Sequence, residues 1–189
     1  MNKIIFACVT TGVLFFSQIL MADSYKLDPV HTQIMFTVNH LGFSNPTGSF
    51  VKFEGGFDFD ESNFENSSAH VTIQTNSIDM NNATWNEHLS GEQWFDVAKY
   101  PTMEFNSTKV VKTGAKTMDV TGDLTLHGVT KPVTLKVIFN KKGDQMGKQK
   151  AGFNATTSID RTQFGMSTYA PMVGSNVDIR LNVEGELMK

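Results

Sequence analysis

The chain has 189 residues, 40% of them hydrophobic, with a formal net charge of −3 and a single cysteine, Cys8. This length is sufficient for one well-formed core. The slightly negative net charge provides no basic surface for binding nucleic acid or an anionic membrane. A lone cysteine excludes an intramolecular disulfide framework and a metal site built from several thiolates.

The first 22 residues are typical of a secretory signal peptide. Lys3 provides a positive n-region, residues 4–20 are predominantly apolar, and Ala22 is a small residue at a suitable cleavage point. An uncleaved anchor is the alternative, but the apolar run contains polar residues and is short for a span of about 20 residues. We therefore expect residues 1–22 to be a signal peptide and residues 23–189 to be a periplasmic or secreted domain without a transmembrane segment.

The first part of the mature chain alternates between apolar and polar side chains, which is the period of a strand with one buried face. A short strand near Tyr25 ends before Pro29. The next alternating segment carries Phe36 on its apolar face and ends at His40. Two further segments follow at 51–59 and 69–74, and the adjacent glycines at 55–56 indicate a bend or a bulge.

Residues 81–100 interrupt this alternation. Residues 83–90 predict a short helix that Gly91 ends. Trp85, His88 and Leu89 have i, i+3, i+4 spacing, so they share one helical face. The segment also contains Trp94 and Phe95. It is therefore interpreted either as a segment that only completes the core or as a lid that forms part of a ligand pocket.

The alternation resumes after Pro101 and continues almost to the C-terminus, with loops predicted at 127–132, 141–147 and 161–176. Apolar positions on one face of these later segments are expected to point into the core. They are Val120, Leu124, Leu126, Val133, Leu135, Val137, Phe153, Ile179 and Leu181.

Alternating segments joined by hairpin-length loops favour antiparallel strands with one dry face. A two-sheet sandwich and a closed barrel both satisfy this pattern. Small residues on the inward faces, such as Ala69, Ala155 and Thr157, leave room inside. The sequence therefore favours an all-β fold: an eight-stranded antiparallel up-and-down barrel with a short helical insert and space for one small ligand.

Catalytic and metal-binding motifs are missing from the sequence. The five histidines form no zinc-protease motif, although spacing alone does not exclude a cross-strand site from His40, His88 and His127. There is no nucleophile elbow and no phosphate-binding loop. We therefore predict no catalytic residue and no metal, while an enzyme acting on an apolar substrate, such as a hydrolase or isomerase, and a structural protein with a full core remain alternatives.

Aromatic residues, together with residues in loops expected at the open end of the barrel, are the strongest signal for a ligand site. Aromatic rings provide large apolar contact areas, and histidine and indole nitrogens can hold a polar group. The predicted ligand-binding residues are Phe36, His40, Phe43, Trp85, His88, Trp94, Phe95, Phe105, His127, Phe153, Phe164 and Met166.

Several stretches, in order along the mature chain, resemble the YceI family of periplasmic, lipocalin-like, polyisoprenoid-binding proteins. They are 27–32 (LDPVHT), 40–44 (HLGFS), 48–50 (GSF), 88–89 (HL), 94–96 (WFD), 98–101 (AKYP), 122–133 (GDLTLHGVTKPV), 151–153 (AGF), 159–161 (IDR) and 164–166 (FGM). One departure is Ser175, at a position where family members often have an acid. Any role that this acid has in family members is therefore in doubt for this chain.

The resemblance implies an eight-stranded barrel with a helical insert that holds a long isoprenoid or similar lipid. We accordingly expect a periplasmic carrier or storage protein that binds a long-chain apolar lipid. It should require no cofactor beyond a bound isoprenoid or other long-chain lipid, and it should bind no nucleic acid. The sequence leaves open whether the protein forms a homodimer.

Overall fold

The computed structural model describes residues 22–188, so the predicted signal peptide at 1–22 lies outside the described residues apart from Ala22. The strands are β1 Asp23–Leu27, β2 Gln33–His40, β3 Thr47–Phe50, β4 Phe53–Phe59, β5 Ser68–Gln74, β6 Ile78–Asp79, β7 Thr102–Lys112, β8 Thr117–Leu126, β9 Val129–Gln145, β10 Lys148–Asp160 and β11 Val173–Leu187. One α-helix is described, α1 at Ala83–Ser90, and 3₁₀ helices occur at Phe64–Asn66, Thr75–Ser77 and Arg161–Phe164. Within this part of the chain, no helix has the length and apolarity needed to cross a bilayer.

The strands close into the predicted eight-stranded antiparallel up-and-down barrel rather than a sandwich. Strands β7 to β11 each occupy one position in the wall. The other positions are filled by the interrupted pairs β1/β2, β3/β4 and β5/β6, whose members are consecutive in the chain. The ring closes because β11 pairs with β1 near its C-terminal end and with β2 along its N-terminal half.

Two glycines allow strands β1, β4 and β5 to approach closely. Gly55 has a φ of +133°, and a Cβ there would lie 2.2 Å from the carbonyl oxygen of His70. A Cβ on Gly56 would lie 2.2 Å from the carbonyl oxygen of Tyr25. The pairing of β4 with β5 continues in register through both residues, so these glycines mark close strand contact rather than the predicted bulge.

Two hairpin turns are tighter than predicted. Positive φ angles at His127 and Gly128 join β8 to β9, and positive φ angles at Met146 and Gly147 join β9 to β10. The predicted loops at 127–132 and 141–147 are therefore too long. Backbone pairing continues to Gln145 although the apolar alternation has ended, because the hairpin extends past the core. The predicted loop at 161–176 likewise contains a 3₁₀ helix and the start of β11.

Aromatic rings fill the end of the barrel opposite helix α1. We call this set the aromatic plug: Phe57, Phe59, Phe64, Phe139 and Phe153. The Phe59 ring lies at its centre, with centroids 4.8 Å from Phe139, 4.9 Å from Phe153 and 5.6 Å from Phe64. Each ring buries a large apolar area, so the aromatic plug both seals this end and provides a large share of the packing energy.

A polar cluster joins the β1–β2 connection to strands β10 and β11. The Lys150 ammonium lies 2.9 Å from Asp28 Oδ2 and 3.2 Å from Glu184 Oε2, and His31 Nδ1 lies 2.8 Å from Asp28 Oδ2. The hydrogen bond from Lys150, with those from His31 and the Val30 backbone, holds the pKa of Asp28 well below its ordinary value despite partial burial. The folded state therefore favours the ionised Asp28.

Replacing Asp28 with Asn should reduce the acid sensitivity of folding. The depressed pKa contributes stability that is fully present above the unfolded carboxyl pKa of about 4 and is lost as the pH falls below it. We expect Asp28→Asn to be less stable than the wild type by about 1–3 kcal/mol at neutral pH. The difference should narrow between about pH 4 and pH 2 in urea-unfolding curves. A difference that stays constant over this range would show that Asp28 does not stabilise the fold through its charge.

Candidate functional site

A cavity of about 620 Å³ occupies the barrel interior between the aromatic plug and helix α1. Its wall is overwhelmingly apolar, and every position that the sequence predicted to face inward lines it. The small residues Ala69, Ala155 and Thr157 are also on the wall, where their size leaves space unfilled. The volume is within the range of about 300–1,000 Å³ that is usual for small-molecule sites. The barrel is therefore hollow, as predicted.

Helix α1 lies over the open end of this cavity, and its bounds match the prediction. Asn82 caps the helix because its side-chain oxygen accepts a hydrogen bond from the Trp85 backbone N–H at 3.0 Å. The face carrying Trp85, His88 and Leu89 lines the mouth of the cavity. No residue of the helix is fully buried, and Leu89 packs against the core beneath it, so α1 covers the opening and adds one side chain to the edge of the core.

The segment after α1 brings Trp94 and Phe95 onto the same wall. Trp94 Nε1–H donates a hydrogen bond to His88 Nε2 at 2.9 Å. This geometry requires a neutral His88 that carries its proton on Nδ1. The indole N–H and the imidazole acceptor therefore satisfy each other, and neither is free to hold a polar group of a ligand.

Arg161 is a buried cation on the cavity wall, with only 4% of its surface exposed. Its guanidinium donates hydrogen bonds to the backbone carbonyls of Met166, Thr168, Val173 and Gly174. The Cζ atom lies 5.4 Å from the Trp94 ring centroid, which adds a cation–π contact. Burial lowers the pKa of Arg161, although an arginine side chain remains protonated in proteins.

Arg161 thus ties the loop between β10 and β11 to the barrel and to Trp94. In the sequence, Arg161 stands out only through its place in the IDR stretch, and an arginine at the end of a strand usually lies in solvent. Its partners are backbone carbonyls from a loop without periodicity. No pattern of side chains in the sequence could therefore have revealed them.

All of the predicted ligand-binding residues line the cavity except Phe43, His127 and Phe164. Phe43 is 88% exposed because the β2–β3 loop turns outward at Leu41 and Gly42, both of which have positive φ. The His127 ring lies in the β8–β9 turn against Tyr100, with ring centroids 4.4 Å apart. Phe164 packs into the core from its 3₁₀ helix. For the residues that do line the cavity, contact with a ligand stays a prediction.

Six large side chains that were not among the predicted ligand-binding residues also line the cavity. They are Met35, Leu41, Met80, Met103, Tyr169 and Met172. Several are methionines, which adapt their shape to irregular ligands. Met103 could have been recognised because it begins the apolar face of β7, whereas Tyr169 and Met172 lie in a loop where periodicity gives no signal.

The histidines considered as metal ligands make separate contacts. His40 faces Trp85 at a ring-centroid distance of 5.8 Å, while His88 and His127 contact Trp94 and Tyr100. Among residues 22–188, the groups close enough to share a metal ion are Asp28, His31 and Glu184, which are not on the cavity wall. Lys150 already forms ion pairs with both carboxylates of that group.

Comparison with known proteins agrees with this architecture. The family model of the YceI-like domain matches residues 25–185 of the chain. A UPF0312 protein of Pseudomonas putida strain W619 is 41% identical over 193 residues, which cover 100% of both chains. The crystal structure of Burkholderia cenocepacia BcnA aligns with a TM-score of 0.78 and 25% identity, covering 84% of this chain and 98% of that one.

A polyisoprenoid-binding domain from Saccharophagus degradans has the same fold, with a TM-score of 0.68 and 15% identity over 87% of this chain and 98% of that domain. The family match covers nearly all of the described barrel, from its first strand to its last. The protein therefore belongs to the YceI-like family.

Proposed function

We propose that the protein binds one long-chain apolar lipid, a polyisoprenoid or a similar molecule, inside the barrel. It acts without catalysis as a carrier or storage protein in the periplasm or outside the cell. The observation that carries the proposal is the hollow interior: a cavity of about 620 Å³ with an apolar wall, sealed at one end by the aromatic plug and covered at the other by α1.

The energetic argument is the removal of apolar surface from water. Transfer of such surface into an apolar environment gains about 25 cal/mol per Å², so burying about 400 Å² of a hydrocarbon chain gains about 10 kcal/mol before the costs of association. The cavity wall can provide this environment without any reacting group. Trp85, at the mouth, and Phe153, in the aromatic plug, mark the two ends of the apolar path.

The polar groups on the wall support binding rather than chemistry. Enzymes bring an acid, a base or a nucleophile together at one point. Here, the hydrogen bonds of Arg161 go to backbone carbonyls, and the acceptor nitrogen of His88 is occupied by Trp94. The ligand class is supported by the fold shared with the polyisoprenoid-binding domain of Saccharophagus degradans. The location is supported by the signal-like segment at residues 1–22.

Thr156 and Thr157 provide a matched test of the binding site. They are adjacent on β10, and Thr157 lines the cavity whereas Thr156 is exposed on the outer face. We expect Thr157→Trp to fill part of the cavity and to lower lipid occupancy by about tenfold or more, with little loss of stability because free space is available. Thr156→Trp should bind lipid like the wild type. Lipid occupancy is measured by extraction and mass spectrometry after loading from detergent micelles. Equal occupancy in the two variants would show that the lipid binds outside the barrel cavity.

A further inference from the structure

Exposed apolar side chains from three separate segments surround the cavity mouth. We call them the rim patch: Leu41, Phe43, Trp85, Tyr169 and Met172. Phe43 is 88% exposed, and the others expose 39–61% of their surface. The Leu41 backbone N–H donates a hydrogen bond to the Met172 carbonyl at 3.0 Å, so the two loops that carry most of the rim patch lie side by side.

The rim patch is continuous with the cavity wall. Leu41, Trp85, Tyr169 and Met172 both line the cavity and remain partly exposed at its mouth. Phe43 extends this apolar surface outward from the β2–β3 loop. A lipid that leaves the barrel at this end must therefore cross the rim patch before it meets water.

The two loops that carry four of the five rim-patch residues have no charged side chain, whereas helix α1, which carries Trp85, contains Glu87. Residues 41–51 and 165–176 contain no Asp, Glu, Lys or Arg, although 19% of the whole chain is charged. Placing these loops in a medium of low polarity therefore requires no desolvation of a charged side chain within them. Exposed Trp and Tyr among aliphatic side chains match the interface of a lipid bilayer, where aromatic rings contact both the headgroups and the hydrocarbon.

The backbone also shows that folding alone does not explain these side chains. Leu41 has a φ of 57° and Tyr169 a φ of 53°, in the left-handed region that favours glycine and asparagine. About half of each side chain is exposed, and the remainder lies on the cavity wall, where the Tyr169 ring is 6.2 Å from the Trp94 ring, so packing offsets the backbone strain only in part. A large apolar residue at these positions fits a role at the surface.

The area of the rim patch argues against a second copy of the chain as its occupant. With about 150–250 Å² for each large side chain, the exposed part of the rim patch covers about 600 Å². A stable protein–protein interface needs about 800 Å² from each partner and a polar rim around its apolar centre. A bilayer has no such minimum area, because each inserted side chain adds its own transfer energy.

We infer that the rim patch inserts into the interface of a lipid bilayer, so that lipid passes between the bilayer and the cavity without crossing water. This inference rests on the proposed lipid-binding function. The contact is apolar and therefore insensitive to salt, in contrast to the binding of a basic surface to anionic lipids.

The test measures how fast the protein takes up lipid from vesicles. Phosphatidylcholine vesicles containing a pyrene-labelled isoprenoid alcohol are mixed with lipid-free protein, and uptake is followed by energy transfer from the tryptophans. The test variant is Phe43→Ser, because its side chain is exposed and lies outside the cavity wall. The matched control is Met146→Ser, which removes a side chain that is 97% exposed in the β9–β10 turn at the opposite end of the barrel.

For the wild type, the uptake rate should rise in proportion to vesicle concentration and should be the same at low and high salt. Phe43→Ser should slow uptake by about tenfold, whereas Met146→Ser should not change it. All three proteins should reach the same occupancy when the probe is supplied in detergent micelles. The measurement with micelles separates docking at the bilayer from binding in the cavity.

Equal uptake rates from vesicles in Phe43→Ser and the wild type would overturn the inference and leave the proposed function intact. Failure of the wild type to take up the probe even from micelles would overturn both. Concentration-dependent dimerisation that is lost in Phe43→Ser would assign the rim patch to a second copy of the chain, and this also contradicts the inference.

Discussion

Replacing Phe59 with Ala should lower the free energy of unfolding by about 3–5 kcal/mol. The Phe59 side chain is only 2% exposed, and its ring contacts Phe64, Phe139 and Phe153 at the centre of the aromatic plug. Deleting it removes the transfer energy of the ring and leaves a void that rigid neighbours on three sides cannot fill. A single domain has a total stability of about 5–15 kcal/mol, so the loss would be a large fraction of it.

Phe43→Ala is the matched control for this prediction. It makes the same chemical change at a position that is 88% exposed, so its effect should be within about 0.5 kcal/mol. Equilibrium unfolding in urea, followed by circular dichroism, measures both variants. Similar losses in the two variants would mean that the aromatic plug does not hold the closed end of the barrel.

Removing the buried guanidinium should also be strongly destabilising. We expect Arg161→Met to cost about 2–4 kcal/mol, because several backbone carbonyls lose a charged donor in a partly buried setting. Gly174, Val173 and Thr168 are three of the residues whose carbonyls lose this donor. The loop between β10 and β11 should then open more often than in the wild type.

The other arginine of the chain, Arg180, provides the control, since it lies exposed on β11. Arg180→Met should leave the stability nearly unchanged. Hydrogen exchange followed by mass spectrometry localises the effect: amides in residues 165–174 should exchange faster in Arg161→Met only. Unchanged exchange in that segment would show that Arg161 does not restrain the loop.

The barrel could be predicted because its physical cause is visible in the sequence. A strand with one face towards an apolar interior alternates with period two, so inward positions such as Val120, Leu135 and Ile179 were identified directly. Helix α1 was also predicted with the correct bounds. Asn82 and Gly91 flank it, and the strand alternation stops between them.

Features that depend on contacts between distant segments could not be predicted. The close approach at Gly55 is evident only when His70 is placed opposite it, and the role of Arg161 depends on carbonyls of an irregular loop. Phe43 and His127 were chosen for their residue types. Whether a loop side chain points into the cavity or away from it is decided by the backbone angles of the turn, and the alternation pattern gives no information on these.

The central claim is that the hollow barrel holds one long-chain lipid, and native mass spectrometry of the mature protein tests it most directly. The protein should be purified from its own host without detergent or organic solvent. We predict a species heavier than the polypeptide by the mass of one lipid, which disappears after organic extraction and returns on incubation with a polyprenol. A spectrum that shows the bare polypeptide mass both before and after this incubation would contradict the account.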